Sequence, residues 1–568
     1  MASPPPSVTM VPNDKYRLWA RLGALKAERS SWDPHWKDLS RNLLPRSGRF
    51  FVEDRNKGQR RHNQIYDSTG TRSLRVLAAG MMAGMTSPAR PWFRLATGSP
   101  EMMKVEAVKI WLADVTRMML EIFARSNLYR SLHMMYEELG VFGTAPCLIL
   151  PDFETVIHCY PLTAGEYWIT TNAKGEVDTL FREFQKPVGA LVEEFGYENC
   201  SQSTKSLYDN RQLDTWVTVV HAIEPRLTRD SSKRDALNMP WRSVYFEFGA
   251  EGRNKYLRES GFNSFPAIVP RWAVSGQDIY GNSPGMEALG DVQQLQHEQL
   301  RKAQGIDYMT KPPVQMPTSR KGAEVDLLPG GVSYIDSASP QGAITTAFEV
   351  RLDLNYLLQD IQDVRERIRG AFYADLFLML SQADNGRMTA TEVAERHEEK
   401  LLMLGPVLER LHNEMLDPLI DLTFERMVEA GILPEAPPEL EGMALNVEFV
   451  SMLAQAQRAV ATNSIDRFVA GMGVVSQFNP GVLDKFDGDD WADIYSDLLG
   501  IPPELINSNE DVAAKRKAQA QAAQQQQLAV AAATSAEAIG KLKGTVMPDG
   551  RDAGGVVAET LAQNYGVG

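Results

Sequence analysis

Five aspartates, Asp484, Asp487, Asp489, Asp490 and Asp493, fall close together near the C-terminal end, and binding a divalent cation is the chemistry such a group suggests. The spacing is not that of an EF-hand and its closing glutamate is missing, so Asp487 or Asp489 reads better as a helix N-cap. His397-Glu398-Glu399 begins like the zinc-protease motif H-E-x-x-H but stops short of the second histidine, and reads as solvated helix surface. Gly540-Lys541 lacks the upstream glycine of a phosphate-cradling loop. The 8 histidines are scattered singly, so no general base can be assigned. Cys147, Cys159 and Cys200 have no zinc spacing and cannot all pair; they read as buried or idle thiols of a reducing compartment. The sequence therefore assigns no catalytic residue, no cofactor and no metal site. It predicts a protein that is not an enzyme.

What remains is architecture. The central stretch runs from Tyr280 to Leu433 as helix, insert, helix, polar loop and one very long helix. Ser283-Pro284 supplies an N-cap and a proline at the first helical position. Leu289, Val292, Leu295 and Leu300 follow at helical spacing until Pro312-Pro313. The insert from Val314 to Ala347 is rich in Pro, Gly and Ser, with a short strand candidate at 331–335. Leu354, Leu357, Leu358, Ile361, Val364 and Ile368 predict a second helix reaching about Phe377. After the polar loop, Thr389 and Glu392 form a capping box. The pattern then continues to Gly431, a rod of about 60 Å with bends expected near Pro406 and Pro418. A helix of that length suggests an assembly.

At 568 residues, with 43% hydrophobic and 23% charged, the composition is that of a globular protein of several domains. The N-terminus lacks a signal-peptide pattern, no run is apolar for the length of a membrane span, and no membrane partner is predicted. Many of the 24 methionines fall at apolar helix positions and read as core filler. Net charge is −14 but uneven. Lys15 to Arg61 holds 13 basic and 5 acidic residues, whereas Asp484 to Asp511 holds 9 acidic residues and one Lys. Each run reads as a solvated face or as a surface oriented toward a partner of opposite sign. The acidic total argues against a protein built to grip nucleic acid, because that affinity comes from phosphate neutralisation by Lys and Arg.

Along the chain, Tyr16 to Leu44 predicts a helix with a second one starting at Pro34. Arg46 to His62 reads as a basic surface arm. Thr69–Thr86 predicts a helix rich in small residues, and Val105–Ser126 and Leu128–Leu139 predict amphipathic helices. Strands are predicted at Cys147–Leu150, Glu166–Thr171, Val177–Phe184, Trp216–Ile223 and Ser243–Phe248, with a hairpin loop at Asn172–Gly175. Asn199–Leu213 reads as loop, and Asn446–Val450 as one more strand. Helices are expected at Ala454–Gly471 and Asp490–Leu499, helix or disorder at Ala513–Ala536, and mobility in the last 30 residues. The fold class is α+β, predominantly helical.

Several segments in order resemble one family, the portal or head-to-tail connector proteins of short-tailed double-stranded DNA phages. They are Glu28-Arg29-Ser30-Ser31-Trp32-Asp33-Pro34-His35-Trp36, Leu43-Leu44-Pro45-Arg46, and Asp67-Ser68-Thr69 through Gly80 to Ser87-Pro88-Ala89-Arg90-Pro91-Trp92-Phe93. Then come Phe265-Pro266, Pro270-Arg271-Trp272, Tyr280-Gly281-Asn282-Ser283-Pro284-Gly285-Met286, Arg387-Met388-Thr389-Ala390-Thr391-Glu392-Val393, Leu404-Gly405-Pro406 and Gly500-Ile501-Pro502. The match spans about residues 15–530. Asn282 departs from the Arg or Gly of many relatives.

The resemblance implies a portal fold assembled as a homo-oligomeric ring, usually of twelve subunits, with an axial DNA channel at one capsid vertex. Residues 1–283 and 389–454 would be the wing, 284–309 and 349–376 the two stem helices, and 310–348 the clip. Residues 377–388 would be the tunnel loop, 455–530 the crown and 531–568 a flexible tail. Implied partners are the same chain, major capsid and scaffolding proteins, the terminase large subunit, a tail adaptor and duplex DNA. The implied location is the virion, after synthesis in the host cytoplasm. Gln382, Asp384, Asn385 and Arg387 are the candidate channel residues, and Arg320, Lys321, Glu324 and Asp326 the candidate clip surface. Arg46, Arg49, Arg55, Arg60 and Arg61 are the candidates for contact with capsid or a neighbouring subunit. Twelve copies would carry about −170, an acidic wall that repels phosphates until screened beyond about 8–10 Å. Two other classes fit the residues: a collar or minor capsid protein without a conduit, and a metal-dependent nucleic-acid enzyme using Asp484–Asp493.

Overall fold

Leu18, Leu22 and Leu25 form the buried face of α1 (Asp14–Arg29). That face rests on an antiparallel sheet of β4 (Tyr167–Thr171), β5 (Val177–Pro187), β6 (Trp216–Pro225), β7 (Trp241–Glu247) and β8 (Arg258–Phe262), paired in sequence order. Strand alternation sorts the side chains. Val220 and Ala222 join Phe181, Val244 and Phe246 under α1, while Val219 and Tyr245 meet Leu191 and Phe195 of α6 (Val188–Phe195) on the opposite face. The computed structural model that shows this describes residues 14–51, 58, 61, 64–98, 102–233, 235–248, 256–315, 345–346, 354–378, 404–440, 445–450, 468–469, 471–476, 481, 486, 488, 491, 512 and 514–526.

Much of the N-terminal basic run is consumed here. Arg17 and Arg21 both pair with the buried Glu224, and Lys26 pairs with the buried Glu183 at 2.5 Å. Arg29 donates to the carbonyls of Gly165 (3.1 Å) and Tyr167 and lies over the Trp168 ring. These arginines and this lysine hold α1 to the sheet rather than forming a solvated face.

His221 is fully buried on β6, stacked on Tyr245 at 3.8 Å. Its Nδ1 accepts from Arg182 Nε (3.1 Å) and its Nε2 lies 2.9 Å from Ser243 Oγ, an arrangement that suits the neutral ring. Burial first, then the charges of Arg182 and Arg258, holds its pKa well below the ordinary value. The unfolded chain takes up this proton below about pH 6.5 while the folded chain does not, so stability is present above that pH and lost as pH falls. Thermal unfolding of His221→Gln between pH 6.5 and 5 is expected to show a flatter dependence, by about 1.4 kcal/mol per pH unit. An unchanged slope would refute the assignment.

The helical part brings α2 (Trp32–Leu43), α3 (Thr69–Met85), α5 (Leu128–Phe142), α8 (Pro284–Thr310) and α9 (Leu354–Ala371) together. α4 (Glu106–Arg125) precedes α5, and α7 (Gln202–Asp209) follows α6. β2 (Cys147–Asp152) sits between β3 (Val156–Pro161) and β9 (Ala267–Ile268), and β1 (Phe93–Thr97) pairs with β12 (Leu445–Phe449). β10 (Val314–Gln315) pairs with β11 (Thr345–Thr346) between α8 and α9. Small residues do close-packing work: a Cβ on Gly140 would strike Leu74 and Leu77 of α3, and Phe377 fills the notch left by Gly80. Cys147, Cys159 and Cys200 are all buried free thiols.

The chain divides into two units, residues 1–98 with 111–468, and residues 99–110 with 469–568. In the second, the described residues include a short turn at Met102–Lys104, the start of α4, helical residues 471–476 and 514–526, and Phe486 against Trp491. Within the Ala/Gln-rich stretch, the described residues 514–526 are helical. No helix among the described residues is long and apolar enough to cross a membrane.

The predominantly helical α+β class holds, with four local corrections. α9 ends at Ala371 rather than near Phe377, because Tyr373 takes a left-handed φ of +52° through which a helix cannot continue. α2 starts at Trp32, so Pro34 lies in its first turn, where a missing N–H leaves no bond unmade. Asn199–Leu213 is not all loop, because Ser201 Oγ accepts from Thr204 N and starts α7. Near Pro418 the distortion is a π-turn, His412–Leu416, placed just before the proline and followed by α10 (Asp417–Ala430), which ends at Gly431 in the left-handed region. A proline has no N–H and clashes with the carbonyl four residues back, and widening that turn removes the clash. The strand candidate at 331–335, the capping box at Thr389 and Glu392, and most of 454–499 lie outside the described residues.

Candidate functional site at the helix-pair junction

At the segment Tyr280–Met286 the chain crosses itself closely. α5 ends at Gly143 (φ +75°), and Gly143 and Gly281 stand back to back, each leaving no space for a Cβ on the other. Gly281 N donates to Thr144 Oγ1 (2.9 Å), and Trp272 N donates to Gly143 O (2.9 Å). Ser283 then caps α8 and ties it to α5: its Oγ accepts from Met286 N (3.1 Å) and donates to Val141 O of α5 (2.6 Å). Tyr280 is buried in a ring cluster with Trp32, Trp36 and Tyr167.

Arg271, from the same crossing, is buried and fork-paired to Glu414 in the π-turn. Its Nη2 reaches Oε1 at 2.6 Å and its Nε reaches Oε2 at 3.1 Å, while its backbone N also donates to Oε2. Arg410 adds a further bond to Glu414 at 3.1 Å.

A second node lies at the base of α3. Gln296, buried on α8, accepts from the backbone N of both Tyr66 and Asp67 and returns a bond to Asp67 O. Asp67 Oδ1 accepts from Thr69 N and Oγ1, and its Oδ2 accepts from Gln299 of α8 and from Arg365 of α9 at 2.7 Å. Burial acts to raise the Asp67 pKa, but the bonds from Thr69 and Arg365 outweigh it and hold the carboxyl below its usual range. One carboxylate therefore ties α3, α8 and α9 together. Nearby, Phe377 anchors the chain just before the polar loop.

The stretch after α2 is docked at its start. Gly48 N donates to Thr163 Oγ1, Arg49 N to Ala164 O, and the exposed Arg49 guanidinium pairs with Glu166 at 2.6 Å. Beneath it the fully buried Glu138 accepts from Thr163 Oγ1 (2.7 Å) and Ala164 N (3.2 Å), and burial pushes its pKa up to about 7. Arg46 is exposed and Arg61 half-buried.

Arg55 and Arg60 lie outside the described residues, as do the channel candidates Gln382, Asp384, Asn385 and Arg387 and the insert candidates Arg320, Lys321, Glu324 and Asp326. Of the residues singled out from sequence, the described part of the structure places Arg46, Arg49 and Arg61, of which Arg49 pairs with Glu166. It gathers instead Asp67, Gln296, Arg365, Arg271 and Glu414, to which sequence reasoning gave no role. One signal was present: Gln296 is a polar residue at a helix position that the apolar spacing marks as buried. Among the described residues no group of His, Cys, Asp or Glu is placed to hold a metal ion. Chemically, these nodes fix helices in register.

The chain matches the family of bacteriophage head to tail connecting proteins over residues 15–506, and it belongs to that family. It is 65% identical over 500 residues to the probable portal protein of Bordetella phage BPP-1, covering 88% of this chain and 90% of that protein. It is 47% identical over 509 residues to the portal protein of Salmonella phage epsilon15, covering 89% and 91%. A chain of the virion of a native gene transfer agent particle matches 82% of this chain and 99% of its own at 10% identity, with a TM-score of 0.33, a value that carries no argument.

Proposed function

We propose that this chain is the subunit of a portal ring, of twelve copies, through which phage double-stranded DNA is packaged and ejected at one capsid vertex. The observation that carries the reading is the 65% identity to a probable portal protein over nearly the whole of both chains. In this reading α8 and α9 are the stem, residues 310–348 the clip that docks the packaging terminase and then the tail adaptor, and residues 377–388 the tunnel loop. The wing, 1–283 with 389–454, faces capsid and scaffolding proteins, and 455–530 forms the crown below the tail segment 531–568. The chain is made in the host cytoplasm, ends in the virion, and works by geometry rather than by chemistry. Two features support it: Asp67 and Gln296 brace the helix pair against α3, and Phe377 anchors the chain where the tunnel loop begins.

An acidic ring wall suits a conduit, since duplex phosphates are repelled from it and passage needs little strong binding. Native mass spectrometry of the purified chain at micromolar concentration, across several salts, tests the ring. Closed oligomers near twelve copies are expected. A monomer throughout would contradict the reading.

A further inference from the structure

The two flanks of α9 carry opposite charge. Its buried stripe is Ile361, Val364 and Ile368. Asp360 and Arg369 are nine residues apart, which at about 100° per residue places them on opposite sides of the helix. On Arg369's flank, a cavity of about 530 Å³ opens between α3 and the end of α9, with Arg72, Arg365, Arg369 and Asp375 in its wall. Arg365 is engaged by Asp67, whose oxygens are already fully used. Arg72 and Arg369 are exposed and have no carboxylate within ion-pair distance among the described residues. The first turn of α3 adds its partial positive charge at the same place.

On the other flank, α8 and α9 run antiparallel, and Arg367 of α9 pairs with Asp291 of α8 at 3.4 Å. Seven residues along each helix, the same register sets Glu298 against Asp360, carboxyl to carboxyl within hydrogen-bonding reach. Gln294 supports Glu298 Oε1 at 2.6 Å, but Oε2 is enclosed with no donor. Two carboxylates facing each other repel, and the cost falls when a cation reaches both. Within the chain, the charge of Arg367 eases this repulsion only in part, because its ion pairs are with Asp291 and Asp363.

We propose that the Arg72–Arg369 cleft of one copy receives the Glu298–Asp360 carboxyl pair of the next copy. The proposal rests on the ring reading above and names the contact that closes it. A ring whose subunits meet face to opposite face needs two different, complementary flanks on each subunit, and these two are complementary in charge. Planar guanidinium groups match paired carboxylates in a way that lysines would not.

A cysteine-pair experiment tests it on the full-length chain. D360C/R369C cannot bridge within one subunit, because the two positions are about 13 Å apart along one helix and a disulfide needs Cα atoms within about 7 Å. Mild oxidation of assembled rings is expected to give a covalent ladder of multimers, which neither single variant forms; the three native thiols are buried. In parallel, R72E/R369E should require at least about tenfold more protein to form rings by native mass spectrometry, and adding E298K/D360K should restore assembly. All four positions are partly or fully exposed, so circular dichroism should match the wild type. Wild-type rings without a ladder and without rescue would overturn this contact and leave the ring itself standing. Absence of rings in the wild type would overturn both.

Discussion

Replacing Gly143 with alanine is expected to destabilise the folded chain by at least about 4 kcal/mol, enough to leave little soluble protein. Two costs act together. Gly143 is the residue after α5 in the left-handed region, φ +75°, where an alanine costs about 1–2 kcal/mol. Its Cβ would also fall inside the carbonyl of Gly281, which is backbone and cannot rotate away. Moving that backbone displaces Ser283, which caps α8, and Trp272, whose N–H bonds Gly143 O. The control is Gly431→Ala. That glycine ends α10 at φ +65° with open space around it, so only the conformational cost of about 1–2 kcal/mol applies. Soluble yield of the two variants, with thermal unfolding of whatever folded protein is recovered, separates the mechanisms: similar losses would mean the back-to-back glycines are not the constraint.

Truncating Arg271 to alanine is expected to cost about 3 kcal/mol, the low end for breaking a buried pair, because Arg410 still reaches Glu414. Arg271 is buried, its fork holds Glu414 with two bonds, and its Nη2 also donates to Gly175 O at 2.8 Å in the β4–β5 hairpin. The loss is therefore shared among the helix crossing, the π-turn and the sheet. Arg271→Lys should recover less than half, because an ammonium cannot reproduce the planar fork. Denaturant midpoints with unchanged slope check it. Equal stability of the lysine and wild-type proteins would show that charge alone is sufficient.

Local signals in the sequence were read correctly where the chemistry is local. Ser283-Pro284 started α8 as expected, the turn at Asn172–Gly175 joined β4 to β5, and four of the expected strands became β4 to β7 of the five-stranded sheet, while Cys147–Leu150 became β2 of the three-stranded one. α7 was missed because only Thr204 is buried along it, so it shows no apolar stripe. β8, Arg-Glu-Ser-Gly-Phe, is a polar edge strand without alternation. The site itself was the least legible part. Asp67 meets Arg365 and Arg271 meets Glu414 across long separations in the chain, and no spacing rule links such positions. The basic run after Lys15 misled in another way: the acids that neutralise Arg17, Arg21 and Lys26 lie on β5 and β6, far along the sequence. Family membership was legible because it rests on an ordered series of short segments rather than on any one contact.

A cryo-electron microscopy map of the assembled particle tests the central claim most directly. The account predicts copies of the chain closed around an opening wide enough for a duplex, with Asp384 to Arg387 facing the axis and α8 and α9 of neighbouring copies side by side below them. A map that put Asp384 to Arg387 on an outer surface, away from any central opening, would contradict it.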